Sequence, residues 1–489
     1  MKTGDVPAPT EPVVDLAETA VEMGADHGGD FGGFLRSAGK LAVARQVSAL
    51  VFIGVVFVLP ALTERRVATD FVWAYFAMLT LTSLLGLGLE RLAATESGAR
   101  GSTPLARAIA PVLFVRLVTA PLAAIGMVLL FAFVDVHLSA AAWVATFAWV
   151  VAGLMAPVVF GGLRAAGNGT LEPVTMVVVR AAQAATLAAL ATSGAPVAVM
   201  VACVATLELA GVAAALRGMG NLGSAWGAWT QWRRLPLRRA AALAGIEGVA
   251  VLNLRADLLL VGRMLGAAPG ATYGLLYRVV DGFSGVVGSA GLWLYAESAN
   301  ERDGGTDPTG IRARSLVLLP RFGLLAATVV VLAAGLVGHA VPRLGDEVDT
   351  LRILAIAFPL LSLNAVELHV RSGRGRNREI LGINVVVLLT NVALCIVAVD
   401  AYGLPGAAVA LAVTELLQGG LLWRTASSDE RALLGPALGT ATLGAAFLAV
   451  TVVALGMGQP VVAGLAVGAT LAVVLWRARR PVRRTVVVS

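Results

Sequence analysis

The sequence predicts an all-α fold: a polytopic membrane protein of about fourteen transmembrane helices. Three observations carry that expectation. Of 489 residues, 58% are hydrophobic and 14% charged, with a mean hydropathy of +0.84, whereas soluble domains run at roughly 45–50% apolar and about 25% charged. The apolar residues gather in runs that each approach the roughly 20 residues needed to cross about 30 Å of hydrocarbon. The basic residues sit in short clusters between those runs, a distribution that reports topology. The net charge of +7 therefore gives no reason to expect a nucleic-acid partner. The 55 glycines suit helices that pack closely in lipid.

The elements follow in order. Residues 1–40 form a polar cytoplasmic tail with Pro7, Pro9 and Pro12 and a spaced acidic series from Glu11 to Asp30. Disorder is the expectation there, with a short amphipathic helix around Val13 to Met23 as the alternative. No basic start followed by a short apolar core marks a secretory signal, so this end is expected to stay in the cytoplasm. Spans are predicted near 43–62, 70–93, 108–134, 140–163, 172–193, 196–216, 240–264, 273–296, 315–340, 351–372, 380–400, 405–424, 434–456 and 460–477. The runs are too long for barrel strands, and backbone groups in lipid must be satisfied within their own segment. The chain thus divides into a first six-helix lobe (41–217), a basic cytoplasmic linker (218–239), a second six-helix lobe (240–425), two further helices (434–477) and a basic tail (478–489).

Orientation follows from the arginines. With the N-terminus inside, roughly 25 of the 37 Lys and Arg fall in cytoplasmic pieces and about five in outer loops. Arg233, Arg234, Arg238 and Arg239 precede the seventh helix; Arg371, Arg374, Arg376 and Arg378 lie around the end of the tenth. Both termini are expected to be cytoplasmic, in the cell membrane. Catalysis is not expected. No loop exceeds roughly 25 residues, and no phosphate-cradling glycine loop, His-Glu-x-x-His pair or Cys-x-x-Cys pair occurs. Cys203 and Cys395 lie far apart in separate apolar runs, so neither a disulfide nor a metal or other cofactor is expected.

The two halves repeat weakly. Gly161-Gly162-Leu163-Arg164-Ala165-Ala166-Gly167-Asn168 ends the fourth helix, and Val370-Arg371-Ser372-Gly373-Arg374-Gly375-Arg376-Asn377 ends the tenth. About forty residues later come Thr206-Leu207-Glu208-Leu209 and Thr414-Glu415-Leu416-Leu417. Matching helices lie an even number of spans apart, so the halves share one orientation and their pseudo-two-fold axis runs along the membrane normal. A cavity between the lobes is the consequence, and the last two helices fall outside the repeat as an appendage.

Four stretches carry a resemblance to a known group. Leu62-Thr63-Glu64-Arg65-Arg66 leads through Phe71-Val72-Trp73-Ala74-Tyr75 to Gly86-Leu87-Gly88-Leu89-Glu90-Arg91-Leu92. Arg255-Ala256-Asp257-Leu258-Leu259-Leu260-Val261-Gly262 leads to Ala271-Thr272-Tyr273-Gly274-Leu275-Leu276-Tyr277-Arg278. Leu351-Arg352-Ile353-Leu354-Ala355 leads to Arg374-Gly375-Arg376-Asn377, and Gly403-Leu404-Pro405-Gly406-Ala407-Ala408-Val409-Ala410 opens the twelfth helix. In these stretches the chain resembles the Wzx-type polysaccharide flippases, in the superfamily that also holds the lipid II flippases and the drug and toxin extruders. It departs from them near Asp70 and Phe71, where the usual glycine of the first loop is replaced. The resemblance implies two pseudo-symmetric bundles and the flipping of a polyprenyl-diphosphate-linked glycan from the cytoplasmic to the outer leaflet. It also implies polysaccharide polymerase and glycosyltransferases of the same pathway as partners. The rivals are an exporter of small amphipathic molecules of the same superfamily and a membrane polymerase or acyltransferase.

Charges inside the spans supply the candidate site. An arginine at a helix centre costs at least about 2.5 kcal/mol, so it must be paired, hydrated or able to snorkel. Arg45, Arg91 and Arg321 lie near cytoplasmic helix ends, where snorkelling suffices. Arg116, Arg180, Arg255 and Arg278 are the candidate cavity cations for an anionic headgroup, with structural ion pairs as the alternative. Glu247 lies eight residues before Arg255, while Arg278 and Asp281 are one turn apart. Arg255, Asp257, Arg278 and Asp281 are expected to form one network, as glue or as a gate. Glu208 and Glu415 hold corresponding places in the halves and carry a coupling proton, pair with arginine or face lipid; with Asp257, Asp281 and Glu247 they are the candidates for coupling or gating. Glu367 and His369 are placed near the cytoplasmic mouth.

Overall fold

A computed structural model describes the chain between residues 47 and 478, apart from 49, 87–104, 166–170, 220–228, 231, 234, 236 and 303–308. The polar tail, most of the basic linker, the basic C-terminal tail, Arg45 and Arg91 lie outside the described residues. So do the side chains of Glu247 and Arg164. Among the described residues there is no strand, and every predicted span is helical.

The helices are α1 (Leu50–Leu62), α2 (Arg65–Leu84), α3 (Leu105–Val134), α4 (Ala140–Ala165), α5 (Leu171–Thr192), α6 (Val197–Gly218), α7 (Leu237–Leu265) and α8 (Ala267–Arg302). They continue as α9 (Thr309–Ala340), α10 in two pieces (Val348–Ile356 and Phe358–Gly373), α11 (Asn377–Tyr402), α12 (Leu404–Arg424), α13 (Ser428–Gly456) and α14 (Pro460–Ala478). The break in α10 falls at Ala357, just before Pro359. Proline has no N–H to continue the ladder, so it starts a new helix instead.

Ten helices are long and apolar enough to cross a membrane: α2 to α6 and α9 to α13. The long helices outside that set are α7 and α8, which carry Glu247, Arg255, Asp257, Arg278 and Asp281. Three of those charges, Arg255, Arg278 and Asp281, come together in the site. Large apolar side chains such as Leu129, Val329, Leu389 and Val461 face outward, each at least 65% exposed, as the surface of a multi-pass membrane protein requires.

Packing repeats between the halves. In the first, α4 packs on α2, α3, α5 and α6; in the second, α10 packs on α8, α9, α11 and α12. The lobes meet where α2 crosses α7 and α8 and where α3 touches α7. The motif Gly403-Leu404-Pro405-Gly406 now has a physical account. Gly403 takes φ 64° at the turn, Pro405 sits in the first turn of α12, and any side chain on Gly406 would overlap the Ala398 carbonyl.

The two helices beyond the repeat differ from each other. α13 packs on α9, α10 and α12 and buries Leu434, Leu448 and Val452. It begins with a capping box between Ser427 and Glu430. α14 rests mainly on α13 and touches α9. In packing, α13 is a member of the second lobe.

Candidate functional site

At the seam between the lobes, Arg255 of α7 and Arg278 of α8 converge on one carboxylate oxygen. Arg255 Nη1 lies 3.0 Å and Arg278 Nη2 2.8 Å from Asp281 Oδ2. The Arg278 side chain is 3% exposed, Arg255 11% and Asp281 20%. The first lobe covers the triad with aromatic faces. The Arg278 guanidinium lies 4.3 Å from the Phe76 ring centre and 5.3 Å from that of Tyr75. Arg255 lies 5.9 Å from Phe76 and 5.8 Å from Tyr277. Ring quadrupoles stabilise guanidinium charge without quenching it, so two cations against one carboxylate leave the triad with a net charge of about +1.

Asp257 stands apart from this triad. Its Oδ2 accepts a 2.7 Å hydrogen bond from the Tyr273 hydroxyl and its Oδ1 accepts from the Leu258 N–H. Two residues along a helix turn the side chain through about 200°, which sends Arg255 and Asp257 to different faces. Of the four residues expected to form one network, three are in direct contact, and the partner of Arg255 is Asp281, with Asp257 near enough to act on them only through its charge.

The other two candidate cations are held inside the first lobe. Arg116, 1% exposed, donates to the carbonyls of Leu85 and Gly86 at the end of α2, where free carbonyls and the helix dipole favour a cation. Arg180 pairs with Glu208 at 2.7 Å, hydrogen-bonds Gln183 and lies 5.6 Å from the Phe52 ring centre. Gln183 also donates to Glu208 at 2.8 Å.

In the second lobe Glu415 accepts from Asn364 Nδ2 at 2.7 Å and lines a cavity of about 170 Å³ with Asn253, Asn384, Gln418, Phe283 and His369. The carbonyl oxygens of the Asn253 and Asn364 side chains are buried there with no hydrogen-bond partner among the described residues. Asn391 donates to the Asn253 backbone carbonyl at 3.2 Å.

Sequence reasoning missed a second charged network. Arg312 at the start of α9 donates to both Glu367 oxygens at 2.8 Å, and Arg371 joins Glu367, Glu379 and the Leu422 carbonyl. Glu430 collects Arg312, Arg374 and Arg376 at 3.3, 3.0 and 3.0 Å. Glu367 is fully buried and ties the start of α9 to the end of α10, so it does not line a mouth. The i, i+4 spacing of Glu367 and Arg371 was readable; Arg312 and Glu430 lie too far away in sequence for any local signal.

These features define a class: a polytopic membrane protein of two matching helical lobes with cations at their seam. No family model matches the chain, and no curated protein sequence does. Solved structures do match. The lipid II flippase MurJ in an inward closed conformation superposes with a TM-score of 0.64 at 11% identity, covering 90% of this chain and 99% of that one. A MATE structure in complex with MaL6 gives 0.56 at 15%, over 86% and 97%. A mutant of the Vibrio cholerae MATE transporter VcmN gives 0.51 at 17%, over 86% and 98%. At such identities the likeness is one of fold: this chain has the architecture of the MurJ and MATE proteins.

Proposed function

We propose that this protein is a flippase that carries a polyprenyl-diphosphate-linked oligosaccharide across the cytoplasmic membrane by alternating access, with both termini in the cytoplasm, for cell-surface or exopolysaccharide assembly. The observation that carries the reading is the convergence of Arg255 and Arg278 on Asp281 at the seam of the lobes. Guanidinium forks bind phosphate oxygens through paired hydrogen bonds even when partly dehydrated. In this reading Asp281 holds the two forks in place until a diphosphate takes them over. The lobes then rock about that point, and no bond in the substrate breaks.

Glu415 is the group we assign to coupling. Its partner is an amide and not a cation, and the surrounding cavity of about 170 Å³ is smaller than the roughly 300 Å³ at which drug-sized pockets begin. An ion or proton fits it, which suits a coupling site; the flippase is favoured over an exporter of drugs or natural products by the two guanidinium groups at the seam, which suit an anion. The polymerase and glycosyltransferases of the same pathway are the partners this reading implies.

Deleting the protein from its host and identifying the lipid-linked intermediates retained on the cytoplasmic leaflet tests the assignment. Accumulation of a diphosphate-linked glycan is expected. An unchanged lipid pool with altered sensitivity to amphipathic small molecules would favour the exporter.

A further inference from the structure

The seam between the lobes is not uniform along its length. Toward the face that the arginine distribution assigns to the outside, Trp73 of α2 is fully buried. Its indole N–H donates 2.8 Å to the carbonyl of Ala267, the first residue of α8. The ring sits in a notch made by two glycines of the other lobe. A Cβ on Gly262 or on Gly270 would lie 2.7 Å from the same indole carbon, Cζ2. A Cβ on Gly270 would also lie 2.7 Å from the Gly262 Cα, so α7 and α8 themselves touch at this point. Between them Gly266 takes φ +100°, which fixes the sharp turn that presents the Ala267 carbonyl to the indole.

One turn further along α8, Gly274 leaves the space that Phe76 fills, since any side chain on it would overlap that ring. Another turn on stands Arg278, with its guanidinium 4.3 Å from the centre of the same ring. The first lobe thus presents one ridge, Trp73 and Phe76, and the second lobe receives it on the helical stripe Gly270, Gly274 and Arg278. On the outward side of Trp73 the seam opens into a cleft of about 360 Å³, lined by Thr69 and Val72 of one lobe and by Ala271 and Thr272 of the other.

We propose that Trp73, seated in the notch of Gly262 and Gly270, is the latch that holds the two lobes together at this end, and that Phe76 connects it to the arginine pair. An anion that draws Arg278 off the Phe76 ring removes the ridge's second anchor and leaves the Trp73 indole and its hydrogen bond as the remaining anchor of the ridge. The connection rests on the reading of Arg255 and Arg278 as anion holders, whereas the latch does not.

Protein in lipid nanodiscs carrying Ala271→Cys, with Cys203→Ser and Cys395→Ala, reports the seam through the rate at which a water-soluble maleimide reacts with the new thiol. Trp73→Ala raises that rate by more than roughly tenfold, because a buried aromatic anchor is lost. Trp73→Phe keeps a ring but loses the hydrogen bond, for an increase of about fivefold. Gly262→Ala crowds the indole, since its Cβ meets only the side chains of Trp73 and Val134, and raises the rate with Trp73 itself intact. Unchanged rates in both Trp73→Phe and Gly262→Ala, at matched folded protein, overturn the latch. Inorganic pyrophosphate is the probe for the connection: it accelerates labelling with Trp73 in place, and Arg278→Ala removes that response. A latch that opens in the variants but ignores pyrophosphate overturns the connection, while the latch itself stands; the anion-holding reading falls separately, if Arg255→Ala leaves flipping unchanged.

Discussion

Glu208 in α6 and Glu415 in α12 occupy matching stations in two lobes built on one packing plan, yet their charge is met differently. Glu208 is answered by a guanidinium, at 2.7 Å from Arg180, and by Gln183. Glu415 receives the Asn364 amide and opens onto a cavity whose buried carbonyl oxygens want a donor or a cation. A buried carboxylate that is paired and hydrogen-bonded is fixed in one state, while one without a cation can exchange a proton or an ion with modest rearrangement. The comparison teaches that the same station can be closed by an ion pair in one lobe and left facing an amide and a cavity in the other, which is the difference the coupling proposal rests on.

Substitutions sharpen or break that difference. The largest effect on stability is expected for Arg180→Leu, which leaves Glu208 and Gln183 facing each other in the first lobe without a cation. A loss of about 2–3 kcal/mol follows, at the low end for a broken buried pair because Arg180 is partly exposed. Thermal unfolding in detergent measures it, and the double change Arg180→Leu with Glu208→Leu should recover most of the loss. Gln183→Ala removes a smaller share, about 1–2 kcal/mol, through its bonds to Glu208 and to the Val204 carbonyl. Glu415→Gln is nearly isosteric and has no cation to orphan, so stability should move by less than about 1 kcal/mol while ion-dependent transport is lost. If Glu415→Gln unfolds the protein or leaves transport untouched, the coupling proposal is wrong.

The helices were legible in the sequence because lipid forces one solution, an apolar run with its hydrogen bonds internal; most emerged within a few residues of the predicted place, while the second ends at Leu84 where 93 was expected and the eighth extends about six residues beyond its expected span at each end. The break in α10 was also within reach, since Pro359 stands in the middle of the run. Partners were less legible. Spacing found Arg278 with Asp281, which are one turn apart, but placed Asp257 in their network when the helix turns it toward Tyr273. Arg116 and Arg180 read as cavity cations because depth in a span cannot tell a hydrated wall from a carbonyl cap or a carboxylate on a neighbouring helix. The Arg312, Glu367 and Glu430 network depends on three helix ends meeting, which only tertiary packing decides. Trp73 read as part of a motif, and its notch became visible only when Gly262 and Gly270 came together from two helices.

The central claim is that the arginine pair holds the anionic headgroup, and a reconstituted flipping assay with a fluorescent polyprenyl-diphosphate glycan tests it most directly. Arg255→Ala should abolish flipping in protein that still inserts, and Arg255→Lys should restore only part, because an ammonium keeps the charge but not the two-pronged geometry. Adding Asp281→Ala to Arg255→Ala should not rescue activity if the guanidinium touches the substrate. Wild-type flipping in Arg255→Ala, or full recovery in the double variant, would mean that Arg255 only braces Asp281 and would contradict the account.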